Sequence, residues 1–251
     1  MRDKPAVLKG AQHGVQHAVH AAQHSTQHAA EHVGDQMHHV YDEVKPRLRG
    51  WLHAVTSPLT IAAGIVLFAL SPDAVTRIGS TVFTVTAVLL FTVSAVYHRG
   101  TWSPRTWAFL RRFDHANIFL LIAGSYTPFT LLLLEGSTRT LLLSVVWGGA
   151  ALGVLFRVFW PDAPRWLYTP IYLGLGWAAI FFADEFAGAG PAVLGLLVAG
   201  GLLYTLGGIV YGLKRPNPSP QWFGFHEVFH ALTVAAFITH YVGVSIATYT
   251  A

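Results

Sequence analysis

Residues 222–243 read WFGFHEVFHALTVAAFITHYVG, a segment that is apolar enough to cross a membrane but opens on two histidines. A helix of about 20 predominantly apolar residues spans the hydrocarbon core of a bilayer. His226 and His230 are four residues apart, so they lie on the same face of such a helix. Because ionisable groups inside a membrane are unfavourable, an imidazole pair at this position indicates a specific role.

Six more apolar segments precede this one, and together they predict an all-α membrane protein, a bundle of seven transmembrane helices. Only 11% of the 251 residues are charged, well below the roughly 25% of soluble domains. A segment inside a bilayer must satisfy its own backbone hydrogen bonds, so each segment is predicted as a helix. Turn-forming stretches separate the segments. The predicted spans are 52–70, 78–97, 115–134, 141–159, 166–183, 191–213 and 227–248.

The basic residues predict the orientation of this bundle. All but Arg77 and Arg139 of the 16 Lys and Arg residues fall on the same side as the N-terminus. The positive-inside rule therefore places the N-terminus in the cytoplasm and the C-terminus outside. The same distribution explains the net charge of +4 without a nucleic-acid partner. The chain has no cysteine, which excludes disulfides and thiolate metal sites.

Residues 1–50 are predicted to form a cytoplasmic extension in front of a transmembrane domain at 51–251. Histidines at positions 13, 17, 20, 24, 28 and 32 follow a helical spacing. This pattern favours an amphipathic helix with a histidine-rich face, and a disordered segment is the alternative. A pH-dependent or metal-gathering role is compatible with so many imidazoles.

Polar residues from three spans are predicted to lie at one depth. The second span ends with Ser94 and His98, which are four residues apart and share a face. Asp114 lies at the entrance of the third span, and His226 and His230 lie at the start of the seventh. Since consecutive spans run in opposite directions, all five residues fall within one or two helical turns of the cytoplasmic boundary.

This set of residues predicts a zinc site. Three imidazoles with a fourth, open position are a common coordination set for zinc, and His98, His226 and His230 supply them. We expect the Asp114 carboxylate to accept a proton from the water at such a metal. Ser94 would donate a hydrogen bond to the oxygen bound there.

Other interpretations of the same residues remain open at this point. His98 alone could extend to the lipid headgroups, and Asp114 could form an ion pair with a nearby arginine. We expect His115 and Glu227 to face headgroups as well, although each could instead orient a metal ligand. His240 lies on nearly the same face as His226 but about 21 Å further along the helix, so we expect it to line the bundle.

Three motifs give the chain a resemblance to a known family. Taken together and in this order, they resemble the hemolysin III-like branch of the progestin and adipoQ receptor family over about residues 50 to 250. The histidine-rich extension is a departure from that pattern. The motifs are SAVYH at 94–98, RRFDHANIFLLIAGSYTPF at 111–129 and FGFHEVFHALTVAAFITHY at 223–241.

The resemblance implies a seven-helix fold with zinc held by His98, His226 and His230, and with Ser94 and Asp114 beside the bound water. The wider superfamily includes alkaline ceramidases and adiponectin receptors, in which this site is linked to hydrolysis of lipid amides. Membrane lipids are therefore the expected partners, and one of them is a candidate substrate.

Three functions are compatible with these residues and motifs. The first is a zinc-binding protein of the cell membrane that regulates or senses the state of the membrane. The alternative is a zinc-dependent hydrolase of a lipid amide or ester within the membrane. The third, a pore-forming cytolysin, is suggested by the family name and is ranked lowest, because the spans lack a continuous polar stripe.

Overall fold

A computed structural model describes residues 45–250 of the chain, and within them the predicted all-helical, seven-span fold is confirmed. The fifth span consists of α5, a 3-10 helix at Ala178–Phe182, and α6. The predicted histidine-rich helix lies outside the described residues. The helices are α1 Trp51–Ala69, α2 Ala74–Arg99, α3 Pro104–Leu133, α4 Gly136–Phe159, α5 Arg165–Gly176, α6 Ala183–Ala187, α7 Pro191–Leu213 and α8 Phe225–Tyr249.

The third span starts earlier than its apolar stretch predicts. The helix begins at Pro104 rather than at residue 115, and the Ser103 side chain caps it by accepting the backbone N–H of Thr106 at 3.3 Å. Proline is favoured in the first helical turn because the N–H that it lacks would have no intrahelical partner there. Hydropathy marks the part of a helix that lies in lipid, and local capping decides where the helix starts. Asp114 therefore lies three turns inside α3 rather than at its entrance.

The fifth span is interrupted, although its sequence predicts a continuous helix over 166–183. The α-helix ends at Gly176. The Tyr126 hydroxyl from α3 forms hydrogen bonds with the backbone on both sides of the break. It donates to the carbonyl oxygen of Gly176 at 2.7 Å and accepts the backbone N–H of Ala179 at 2.9 Å. A break inside a membrane span is tolerated where neighbouring side chains satisfy the freed backbone groups.

The helix α3 is the central element of the bundle. Of its most apolar window, 67% is buried inside the protein, against 22–44% in the other six spans. It packs between α2 and α4 and also contacts α5 and α8. The helix α8 packs along α7 and touches the bundle side of α1, α2 and α3. This arrangement places the first turns of α8 against the last turns of α2.

Candidate metal centre

Three histidines from two helices converge at one end of the bundle. His98 comes from the last turn of α2, and His226 and His230 come from the first two turns of α8. Nε2 of His226 lies 3.2 Å from Nε2 of His98. One nitrogen from each of the three rings lies within 4.8 Å of the others. We call these three residues the histidine cluster; His98 and His230 are buried and His226 is half-buried.

The geometry and chemistry of the histidine cluster fit a metal ion. For a tetrahedral ion with metal–nitrogen bonds of about 2.0 to 2.1 Å, two ligand nitrogens are about 3.3 Å apart, which is close to the 3.2 Å between His98 and His226. The third nitrogen lies within 4.8 Å of the other two and would have to move closer to complete the site. Imidazole nitrogens bind zinc, copper, iron and nickel, whereas magnesium and calcium prefer oxygen ligands. The cluster could therefore hold a transition-metal ion.

The predicted carboxylate and hydroxyl lie beside this cluster. Oδ2 of Asp114 is 3.9 Å from Nε2 of His98, which is too long for a hydrogen bond and leaves a narrow gap between them. Ser94, one turn before His98 on α2, lies beside the Asp114 carboxylate. Both side chains are largely screened from solvent. The structure thus brings together all five residues that the sequence singled out.

The ion pair that could have explained Asp114 does not form. The guanidinium of Arg111 instead binds Asp162 at 2.9 Å, on the exposed end of the bundle. The expectation that His115 faces headgroups is also wrong. Its Nδ1–H donates to the carbonyl oxygen of Arg111 at 2.6 Å, and its Nε2 accepts from the Tyr211 hydroxyl at 3.3 Å. Because both ring nitrogens are used, His115 is held inside the bundle.

Glu227, which we expected at the headgroups, is buried and 1% exposed. Its carboxylate accepts the backbone N–H of Gly224 at 2.8 Å, which caps the first turn of α8. It also forms an ion pair with the guanidinium of Arg49, in the segment before α1. Burial of a carboxylate is tolerated when a cation and hydrogen-bond donors surround it. Glu227 therefore fixes the helix turn that carries His226.

A fourth histidine, which is buried, adjoins the cluster, and the sequence pattern did not indicate it. His53, from the first turn of α1, stacks on the ring of His230 with centroids 3.8 Å apart and planes 16° from parallel. It is 2% exposed, and neither ring nitrogen has a hydrogen-bond partner. No second histidine lies three or four residues from His53 in its own helix, so the sequence shows no pair on one face. Only its stacking in the folded bundle reveals it.

A close backbone approach brings the start of α1 to the histidine cluster. Gly50, which precedes α1, has a φ of +79°, a left-handed conformation that favours glycine. A Cβ atom at this position would lie 2.8 Å from Cβ of His98. Glycine at this position therefore satisfies a backbone requirement and leaves room for His98.

The histidine cluster opens into a long cavity between the helices. This cavity is partly open to the surroundings. Its polar end is formed by His226, His230, Asp114, Ser94 and His53. Most of the remaining wall is apolar, and it includes Ile118, Ile122, Leu197 and Phe229. A polar end joined to an apolar chamber has the shape and chemistry of a site for an amphiphile.

Comparison with known proteins gives matches over most of the chain. A sequence model of the family described as haemolysin-III related matches residues 41–241. The "Hemolysin-3 homolog" of Bacillus subtilis (strain 168) is 37% identical over 147 residues, which cover 58% of this chain and 68% of that protein. The "Hemolysin-3" of Bacillus cereus is 32% identical over 166 residues, which cover 63% and 74% respectively.

Similarity extends to a eukaryotic receptor. The "Adiponectin receptor protein" of Drosophila melanogaster is 31% identical over 157 residues, which cover 53% of this chain and 34% of that protein. The shared region therefore represents only a part of the longer receptor.

Proposed function

Because the chain belongs to the haemolysin-III related family and is a multi-pass integral membrane protein, we propose that it hydrolyses an amide or ester bond of a membrane lipid. In this proposal the histidine cluster holds a zinc ion, and the acyl chain of the substrate occupies the cavity. A bound zinc ion would supply Lewis acidity towards the scissile carbonyl and would make water a better nucleophile at neutral pH.

One observation carries this proposal. The Asp114 carboxylate lies 3.9 Å from a ring nitrogen of His98, with Ser94 beside it, at the polar end of a cavity that is otherwise mostly apolar. A metal that only joined helices would need neither a carboxylate beside it nor an apolar chamber leading to it. Both features are required if a lipid carbonyl is to reach a reactive centre.

The protein's own residues have distinct roles in the proposed reaction. Asp114 accepts a proton from the attacking water as its oxygen bonds to the carbonyl carbon. As the carbon–nitrogen or carbon–oxygen bond breaks, Asp114 returns that proton to the leaving amine or alcohol, and the products are a fatty acid and that leaving group. Ser94, which lies beside the carboxylate, would hold it in position by donating a hydrogen bond. The apolar wall excludes bulk water, which strengthens electrostatic interactions at the site.

A membrane sensor or regulator is the second candidate, and a specific feature favours it. The histidine cluster joins α2 to α8, and the ion pair between Arg49 and Glu227 attaches the start of α1 at the same place. A metal at this position would fix α2 to α8 beside the ion pair that attaches α1, and its loss would change the packing of these spans. Pore formation is the third candidate, suggested by the name of the Bacillus cereus relative. The largely apolar cavity wall argues against an aqueous channel.

Substitution of Asp114 by asparagine separates the first two candidates. The purified protein, loaded with zinc, is incubated with a panel of lipid amides and esters, and the fatty acid released is quantified. For Asp114→Asn we expect a rate at least about 100-fold lower than that of the wild type, since general acid–base catalysis contributes roughly 10² to 10⁴. Zinc content should stay the same. Absence of product from every lipid with wild-type protein containing stoichiometric zinc would favour the regulator.

A further inference from the structure

A second polar cluster lies in the same cavity, away from the histidine cluster. Ser125 from α3, Tyr204 from α7 and His240 from α8 all line the cavity. His240 and Ser125 are more than nine-tenths buried, at 9% and 7% exposed. The rings of Tyr204 and His240 are 5.6 Å apart, and the Tyr204 hydroxyl lies beside that of Ser125. We call these three residues the distal polar cluster.

Each member of the distal polar cluster has an atom without a hydrogen-bond partner. These atoms are the Ser125 Oγ, the Tyr204 hydroxyl and Nδ1 of His240. A buried polar atom left without a partner destabilises a protein by about 1 to 3 kcal/mol. These atoms belong to residues from three different helices that line one cavity, so a polar group bound there could satisfy them. The nearby Thr205 differs, because its hydroxyl already donates to the Gly201 carbonyl oxygen.

The hydrogen bonds of His240 determine what kind of group can bind. Nε2 of His240 lies 3.1 Å from the carbonyl oxygen of Leu197. A carbonyl oxygen only accepts, so Nε2 carries the proton and Nδ1 of the neutral ring is an acceptor. A ligand atom that satisfies the cluster must donate to Nδ1 and accept from a hydroxyl of Ser125 or Tyr204. A hydroxyl group does both, whereas a carboxylate, ester or ketone oxygen cannot donate.

The distance between the two clusters sets the length of the ligand. His230 and His240 are ten residues apart on α8, which corresponds to about 15 Å along the helix axis. This distance is about half of the roughly 30 Å hydrocarbon core. One acyl chain occupies that half. The wall between the two clusters is largely apolar.

We propose that the distal polar cluster binds the hydroxyl of a long-chain lipid that carries this group far from its head. The cavity would then select hydroxylated acyl chains, with the head at the histidine cluster and the hydroxyl between Ser125, Tyr204 and His240. The position of the head rests on the proposed function; the preference for a hydroxyl does not.

The test compares three probes on the purified full-length protein. Dodecanoic acid, ω-hydroxydodecanoic acid and α-hydroxydodecanoic acid have the same chain length, and their affinities are measured by displacement of a fluorescent fatty acid. We expect the ω-hydroxy acid to bind about tenfold more tightly than dodecanoic acid, as two or three added hydrogen bonds predict. The α-hydroxy acid should show no such gain. Equal affinity for all three would overturn the proposal and indicate that water fills the distal polar cluster.

Matched variants assign the effect to the cluster. In Ser125→Ala/Tyr204→Phe the preference for the ω-hydroxy acid should fall to within about twofold. Thr205→Val removes a hydroxyl that is already satisfied and should leave the preference intact. If the double variant does not fold, Tyr204→Phe alone should show a reduced preference. An undiminished preference in a folded variant would contradict the proposal.

A metal-site variant separates this inference from the proposed function. If the head binds at the histidine cluster, His226→Ala weakens dodecanoic acid and the ω-hydroxy acid by the same factor, and their ratio is preserved. If His226→Ala changes neither affinity, the proposed function fails, but the hydroxyl preference still reports on the distal polar cluster.

Discussion

The carboxylate of Glu227 and the guanidinium of Arg49 form an ion pair between residues 178 positions apart, and it joins the segment before α1 to the first turn of α8. Backbone hydrogen bonds reinforce the same junction, since the N–H groups of Arg47 and Leu48 donate to the carbonyl oxygens of Gln221 and Trp222. The turn that presents His226 is therefore held by contacts remote in sequence.

Replacing Glu227 by glutamine should destabilise the protein and weaken metal binding. The amide retains an acceptor for the Gly224 N–H but leaves the Arg49 charge without its partner. Removing one member of a buried pair typically costs about 3 to 5 kcal/mol, and we expect the lower end because Arg49 is 13% exposed. Thermal unfolding in detergent and metal titration measure the two effects.

Asp162→Asn is the matched control for this prediction. It breaks the exposed pair with Arg111, in which the Asp162 side chain is 77% exposed. Exposed pairs contribute about 0 to 1 kcal/mol, so this variant should be close to the wild type in both measurements. Similar losses in the two variants would show that the junction at Glu227 has no special role.

Removal of a proposed metal ligand should abolish stoichiometric metal binding. In His226→Ala the histidine cluster loses one of its three imidazoles, and we expect elemental analysis of the purified protein to find less than about one tenth of the wild-type zinc. His240→Asn removes another buried histidine from the same helix and should retain the metal. Full zinc content in His226→Ala would exclude the histidine cluster as the site.

Gly50→Ala should disturb the proposed metal site through the backbone. Alanine at a φ of +79° is strained by about 1 to 2 kcal/mol, and its Cβ would also lie 2.8 Å from Cβ of His98. We therefore expect lower stability together with weaker zinc binding. Gly136→Ala is the control, because Gly136 also has a positive φ, of +54°, but no atom within 4 Å of its Cβ position. That variant should lose stability but keep its zinc affinity. Reduced zinc affinity in both variants would show that the contact with His98 is not the cause.

His53→Phe should preserve folding and reduce function. Phenylalanine keeps an aromatic ring against His230 and removes two ring nitrogens that have no partner. Because an unsatisfied buried group is unfavourable, the thermal stability should be unchanged or higher by about 1 kcal/mol. If the His53 nitrogens bind the substrate head, turnover falls while zinc content is retained. Lower stability with unchanged turnover would assign His53 a purely structural role.

The sequence predicted the fold because the bilayer restricts what a chain can do. A run of about 20 apolar residues is consistent only with a spanning helix, and seven such runs gave the correct number of spans. Because consecutive spans cross the membrane in opposite directions, the sequence also predicted one common depth for Ser94, His98, Asp114, His226 and His230. The structure brings these residues together, because the constant rise per residue of an α-helix determines how deep each residue lies in its span.

Only the tertiary structure decided which other groups meet there. His53 lies in an apolar helix without a spacing partner, and the ion pair of Arg49 with Glu227 depends on how α1 packs beside α8. Hydropathy also did not indicate the break after Gly176, since it rests on a hydroxyl from another helix. The cavity and its distal polar cluster arise where α3, α7 and α8 leave space between them. Periodicity along one helix reports the depth and face of a residue, whereas contacts between helices depend on side-chain packing, which no single segment encodes.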